Sequence, residues 1–190
     1  MTPDFYVAFT AWRTWAAVAC AIFAVLWQVR AAKQLTSLQL FVQMRGEYES
    51  SNMQVKRAKI AQKLLADPKS LEVDDSVLLF FETLGDLTHR NFLHKDLVWT
   101  TFGYDVCFYW PALRHYVCHV RSKMSDNTAF CEFEKLHKKL SRHKGWEKAA
   151  PSSAITAPTP DSIKEFLTWE SLRSDASIIS QRPQLPSVQP

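Results

Sequence analysis

The strongest helical signal in this 190-residue chain lies at residues 74–89, DDSVLLFFETLGDLTH. Its large apolar residues recur three, four and seven positions apart, the spacing of one face of an α-helix. They are Val77, Phe80, Phe81, Leu84 and Leu87. Asp74 and Asp75 come directly before them, where negative charge suits the positive end of a helix dipole. We therefore predict a core helix that begins after Asp75.

Helical periodicity continues on both sides of this segment. We predict further helices at about 52–66, 94–102, 104–124 and 127–143, with Pro111 marking a kink or a restart in the longest one. N-cap chemistry for the first of these helices comes from Ser50, Ser51 and Asn52. No stretch of strand length alternates between apolar and polar residues, and the chain has only four glycines. The predicted fold class is therefore all-α, with a small helical bundle as its main part.

The chain between Ala8 and Val29 is apolar, and Arg13 is its only charged residue. At about 1.5 Å per residue this segment would span about 33 Å, which exceeds the bilayer hydrocarbon core of about 30 Å. Arg13 lies near the start, where a long side chain can reach the lipid headgroups. Trp12 and Trp15 near one end and Trp27 near the other suit the membrane interface. We predict an N-terminal transmembrane helix that contacts the lipid bilayer through residues 8–29.

Two alternatives to a transmembrane helix are a cleaved signal peptide and a buried core helix. A cleaved signal peptide needs an early basic residue and a small residue near the cleavage site. The first five residues contain no Lys or Arg, and Arg30 occupies the place where cleavage after Ala32 would need a small residue. A buried core helix would need a larger core than a chain of this length offers. Both alternatives are therefore disfavoured.

The basic residues around the apolar segment predict its orientation. Arg30, Lys33 and Arg45 follow it, whereas no Lys or Arg precedes Arg13. Since cytoplasmic flanks carry the excess of Lys and Arg, we expect the N-terminus outside and the C-terminal domain in the cytoplasm. This topology describes a single-pass protein of the inner (cell) membrane.

Composition divides the remaining chain into a domain and a tail. We predict a transmembrane anchor at 1–30 that continues into a stalk, a cytoplasmic helical domain at 31–146 and a disordered tail at 147–190. The tail is rich in Pro and Ser, and six of the nine prolines lie in it. An apolar island at 161–173 interrupts the tail as a possible short helix that contacts a partner protein or docks back on its own domain. Its candidate contact residues are Ile163, Phe166, Leu167 and Trp169.

Arg57 is the one charged residue on the apolar face of the helix predicted at 52–66. A charge in that position must reach water or find a carboxylate. Glu82 and Asp86, one turn apart on the core helix, are the candidate partners. Two interpretations stay open: a polar binding site inside the domain, or a structural ion pair.

A metal site is a second hypothesis. His115, Cys118 and His119 stand at i, i+3 and i+4 of a predicted helix, a spacing that can present ligands to zinc. The alternative without a metal is a helix with half-buried polar residues and an ordinary free thiol. We predict no resident cofactor.

A basic stretch follows in the last predicted helix of the domain. Its charged members are Lys135, Lys138, Lys139, Arg142, Lys144 and Lys148. Such a stretch favours contact with anionic lipid headgroups, with a solvated helix face as the alternative. The net charge of +4 is mild, and no nucleic-acid-binding motif accompanies it, so we predict no nucleic-acid partner.

Several short motifs together resemble a known family. The motifs are Phe80-Phe81-Glu82-x-x-Gly85, Asn91-Phe92-Leu93, Asp96-Leu97-Val98, Phe102-Gly103, Tyr109-Trp110 and Arg121. They resemble an uncharacterised bacterial domain family with an FFExxG, FG and YW pattern, often fused behind one membrane helix. The resemblance covers about 45–123, and departs from the pattern at Thr88-His89 and in the long tail. It implies an all-α, membrane-anchored cytoplasmic domain, and neither a substrate nor a catalytic residue.

These observations lead to one functional hypothesis and two alternatives. The sequence contains no GxSxG, P-loop or GxGxxG motif. We therefore expect a membrane-tethered interaction or regulatory module without catalysis, whose protein partner the sequence does not identify. The first alternative is a small metal- or ligand-binding sensor domain at the membrane. The second is a membrane-associated enzyme whose site the sequence does not reveal.

Overall fold

The computed structural model describes residues 3–142 and 158–174, with side chains described at 18, 20–142 and 158–173. Within these residues every regular element is helical and no strand occurs, which confirms the predicted all-α class. The helices are α1 (Pro3–Glu49), α2 (Ser51–Ala66), α3 (Ser76–His89), α4 (Lys95–Met124), α5 (Cys131–Leu140) and α6 (Pro160–Ser171). A 3-10 turn at Leu172–Ser174 follows α6.

Local side-chain chemistry explains several helix boundaries. The hydroxyl of Ser50 accepts a hydrogen bond from the Met53 amide, so α2 begins beside a predicted cap residue. α3 begins after Asp75, as predicted. At α6 the capping oxygen comes from Thr159, which accepts from the Ser162 amide.

The prediction of two separate helices at 94–102 and 104–124 is wrong. A single helix, α4, runs through Gly103 and Pro111 without a break. Gly103 is helical, and its missing side chain leaves room for the indole of Trp99 one turn earlier: a Cβ at this position would lie 2.9 Å from Cζ3 of Trp99. Tertiary burial of one continuous face of α4 thus outweighs the low helix propensity of glycine. α5 is also shorter than the predicted 127–143.

The chain divides into two compact units, residues 1–40 and 41–190. α1 is continuous through the predicted stalk, including Gly46. Among the residues that the structure describes, no helix combines the length and the apolar character needed to cross a membrane. The predicted transmembrane helix at 8–29 is therefore not supported: among the residues with described side chains its apolar run extends only from 18 to 29, and the basic residues Arg30 and Lys33 follow it. The side chains at 8–17 lie outside the described residues.

The core of the second unit is aromatic. The ring of Tyr48 on α1 stacks on Phe80 of α3 with centroids 4.9 Å apart and meets Phe102 of α4 edge-on at 5.3 Å. Phe81 stacks on Phe133 of α5 at 4.9 Å. These contacts join four helices, since pairs of aromatic rings bury large apolar areas in fixed geometries.

Helices α3 and α5 approach each other closely at Gly85. A Cβ built there would lie 2.7 Å from the carbonyl carbon of Glu132. One turn earlier, Glu82 caps α5: its carboxylate accepts from the amides of Glu132 at 3.2 Å and Phe133 at 2.7 Å. Gly85 and Glu82 therefore fix the spacing and the register of this helix pair.

We predict that Gly85→Ala lowers the free energy of unfolding by about 1–3 kcal/mol, because the added methyl group must displace backbone of α5. Gly46→Ala is the matched control, since it is also helical and a Cβ there meets nothing within 4 Å. The control should be neutral or stabilising by up to about 1 kcal/mol through helix propensity. Urea unfolding followed by circular dichroism measures both, and equal effects of the two substitutions would contradict the close approach.

Candidate functional site

The side chain of Arg57 on α2 is fully excluded from solvent, with 0% exposure. Its guanidinium lies over the ring of Tyr48, with Cζ 3.9 Å from the ring centroid. A cation above an aromatic face is stabilised by the ring quadrupole, most strongly where water is absent. The sequence correctly drew attention to Arg57 as a charge on an apolar helix face.

The partners of Arg57 differ from those predicted. Its Nη2 atom contacts both carboxylate oxygens of Glu170 on α6, at 2.8 and 2.7 Å, and lies 3.8 Å from Asp105 of α4. The two predicted partners act elsewhere: Glu82 caps α5, and Asp86 pairs with Arg90 at 2.8 Å. Both candidate partners were wrong because the true ones lie on α4 and α6.

Two buried phenols complete the arrangement. Tyr48 donates a hydrogen bond to Asp105 at 2.8 Å, and Tyr109 donates to Glu170 at 2.8 Å. Burial raises the pKa of Tyr48 and of Tyr109 well above the ordinary value, so both hydroxyls keep the protons that they donate. We call this group the Arg57 site, and its members are Tyr48, Arg57, Asp105, Tyr109 and Glu170.

Arg57 is incompletely bonded in this site. Its Nε reaches the Tyr109 hydroxyl only at 3.5 Å, and its buried Nη1 has no hydrogen-bond partner among the described residues. Both oxygens of Glu170 thus meet a single nitrogen, whereas a fork-shaped pair engages two nitrogens of the guanidinium. Arg173 also pairs with Glu170, at 2.9 Å, so two arginines share this carboxylate.

α6 brings Glu170 into the site by burying the apolar island that the sequence singled out. Phe166 packs on Tyr109 and Phe108 with ring centroids 5.0 and 5.1 Å apart, and Leu167 is also buried. Trp169 stays 43% exposed and Ile163 is half-buried. Of the two alternatives for the island, docking on its own domain is the one seen.

The residues proposed as metal ligands face solvent. His115, Cys118 and His119 are all exposed. Across residues 18–142 and 158–173, no group of three or more His, Cys, Asp or Glu side chains is placed to hold a metal ion. Cys107, by contrast, is buried, and burial raises the pKa of its thiol to about 12, which makes it a poor nucleophile at neutral pH.

The basic stretch is partly neutralised within α5. Lys135 pairs with Glu132 and Lys138 with Glu134, each at 2.6 Å. Lys139 and Arg142 have exposed side chains. Lys144 and Lys148 lie outside the described residues.

The residues of the family pattern mainly shape the core. Its buried aromatic members are Phe80, Phe81, Phe102, Tyr109 and Trp110. Arg121 fixes the connection between α4 and α5 by donating to the Ala129 carbonyl at 2.8 Å and pairing with Glu134 at 2.9 Å. Tyr109 is the member that also belongs to the Arg57 site.

Sequence reasoning missed three members of the site: Tyr48, Asp105 and Glu170. A signal existed for Asp105, which stands one turn before Tyr109 on the apolar face of α4 and is buried. A charge on such a face needs a partner, as Arg57 does. Glu170 gave a similar signal, since it lies inside the apolar island at 161–173, four residues after Phe166.

A family model described as a domain of unknown function, DUF4760, matches residues 14–140. The match covers well over half of the chain and includes every motif that carried the resemblance to an uncharacterised domain family. It contains Tyr48, Arg57, Asp105 and Tyr109, whereas α6 with Glu170 lies beyond it. No curated protein and no solved structure matched the chain.

We predict that Arg57→Met lowers the free energy of unfolding by about 3–5 kcal/mol, because it leaves buried carboxylates without their cation. Adding Glu170→Gln should recover part of this loss, since it removes one unpaired charge. Arg90→Met is the control, because the Arg90–Asp86 pair is exposed and should contribute little. Urea unfolding of the four proteins measures these effects, and similar values for Arg57→Met and Arg90→Met would show that the Arg57 site carries no particular stability.

Proposed function

Because the chain belongs to the DUF4760 family of domains of unknown function, we propose its function from its own surfaces: a membrane-tethered interaction module without catalysis. One observation carries the tether, the exposed apolar side chains of α1 between residues 18 and 29. They are Val18, Ile22, Phe23, Val25, Leu26, Trp27 and Val29, each between 44% and 68% exposed. Exposed apolar surface of this extent is typical of contact with lipid or with another protein.

Lipid is the occupant that suits this surface best. Residues 18–29 contain no charged side chain and only one strongly polar one, Gln28, so apolar side chains lie on every side of the helix rather than along one stripe. A protein partner would cover one side, whereas lipid surrounds a helix. Trp27 and the basic residues Arg30 and Lys33 follow at one end, as at a cytoplasmic membrane interface.

The thickness of the bilayer determines which residues the tether must include. Residues 18–29 would extend about 18 Å as a helix, less than the hydrocarbon core of about 30 Å. The proposed tether is therefore the whole segment 8–29, with the N-terminus outside and the domain on the cytoplasmic side of the inner membrane. Lys139 and Arg142, both exposed, are the proposed contacts to anionic headgroups.

The interaction role is supported by the groove that receives α6. This groove on α2 and α4 holds an amphipathic helix through Phe166, Leu167 and the buried carboxylate of Glu170. Helix-in-groove binding is a common mode of protein recognition.

We predict that Ile22→Asp with Leu26→Asp shifts the full chain from the membrane to the soluble fraction. An aspartate adds up to about 2.5–3.5 kcal/mol to the cost of insertion, with the full cost at the helix centre and a smaller one toward the interface. Val42→Asp is the control, because Val42 is at least as exposed on α1 as Ile22 and Leu26 but follows the basic residues, and it should leave the distribution unchanged. The measurement is the fraction that stays with bacterial membranes after an alkaline carbonate wash.

The same experiment can overturn the tether. Wild-type protein in the soluble fraction, or protein stripped from the membrane by carbonate, would exclude a spanning segment. A reporter fused to the C-terminus tests orientation, and activity of a periplasmic reporter there would reverse the proposed topology.

A further inference from the structure

The Arg57 site is divided between two parts of the chain. Four of its members, on α1, α2 and α4, lie within the family segment 14–140. The fifth, Glu170, is supplied by α6 from beyond that segment. The family domain thus holds a buried cation whose main counter-charge comes from an appended helix.

The appended helix does not use the full bonding capacity of the site. Glu170 engages one nitrogen of Arg57, while Nη1 remains without a partner among the described residues. A carboxylate that bridged Nη1 and Nη2 would make the stronger, fork-shaped contact. The site therefore has capacity for a better carboxylate ligand than the one it holds.

Few apolar side chains anchor α6 on the domain. Phe166 and Leu167 are its buried apolar side chains, while Trp169 and Leu172 remain 43% and 38% exposed. A helix of this length is marginal on its own, so its docking depends on these two side chains and on the contacts of Glu170 with Arg57 and Tyr109. Such a helix can be displaced by a competitor with similar anchors.

We propose that the Arg57 site is the binding site for an acidic amphipathic helix of a partner protein, and that α6 is its intramolecular competitor. The partner helix carries an aromatic anchor and a carboxylate four residues later, as Phe166 and Glu170 do. This inference rests on the interaction role proposed above but not on the membrane tether. The chain's own α6 lowers the apparent affinity for the partner because it competes at high effective concentration.

A labelled peptide of residues 158–174 serves as the probe, with full-length protein in mild detergent. We expect weak binding to the wild-type chain and binding about tenfold or more tighter to the chain carrying Phe166→Ala and Glu170→Gln, whose own α6 is weakened. Adding Arg57→Met to that chain should abolish the gain. Circular dichroism verifies that each variant keeps its helical content.

Two matched peptides keep the test independent of protein folding. We call the chain that carries Phe166→Ala and Glu170→Gln the opened chain. A peptide with Glu170→Gln should bind the opened chain at least about tenfold more weakly than the unmodified peptide does. A peptide with Glu165→Gln should bind as the unmodified peptide does, because Glu165 is exposed. Equal binding of all three peptides, or equal binding to the wild-type and opened chains, would overturn the proposal. If the peptide results contradict the proposal while the protein still stays with the membrane, the recognition site is excluded and the proposed membrane tether is not affected.

A second copy of the chain is the competing source of the helix. Sedimentation of the wild-type chain tests this source. The proposal expects that Phe166→Ala with Glu170→Gln does not change the oligomeric state. A wild-type dimer that dissociates on these substitutions would mean that α6 is exchanged between copies, which would overturn its role as an intramolecular competitor.

Discussion

Burying the guanidinium of Arg57 requires counter-charges, and they come from far along the chain. Asp105 lies on α4 and Glu170 on α6, while Tyr48 of α1 supplies the aromatic face below the cation. Since an unpaired buried charge is costly, these helices must dock together for α2 to bury its apolar side. The phenols of Tyr48 and Tyr109 each hold one of these carboxylates by a hydrogen bond. Because both rings also pack in the aromatic core, the polar network and the core are directly connected.

The packing of α3 against α5 depends on backbone contact rather than on an ion pair. Gly85 lets α3 approach the backbone of α5, and Glu82 on the same helix satisfies two amides at the start of α5. Phe81 and Phe133 stack across this contact. The glutamate and glycine of the FFExxG motif thus have a joint physical role, since both set where α5 begins against α3.

The two proposed surfaces differ in chemistry and in their relation to the family. The apolar part of α1 is the proposed lipid contact, and most of it falls within the family segment 14–140. The Arg57 site offers a buried cation to a carboxylate, and in this chain an appended helix supplies that group. A module with both surfaces would hold a protein helix next to a membrane, with access controlled by its own α6.

The sequence by itself determined the all-α class, the position of α3, the continuity of α1, the helix at the tail island and the family, because periodicity and short motifs are local properties. It also identified Arg57 as a charge that needs a partner. Only the tertiary structure decided that this partner is Glu170, more than a hundred positions away, rather than Glu82 or Asp86. The same applies to α4, where burial of a continuous face carried the helix through Gly103. Pairing and burial depend on which helices dock, and docking is the sum of many distant contacts that no single stretch of sequence contains.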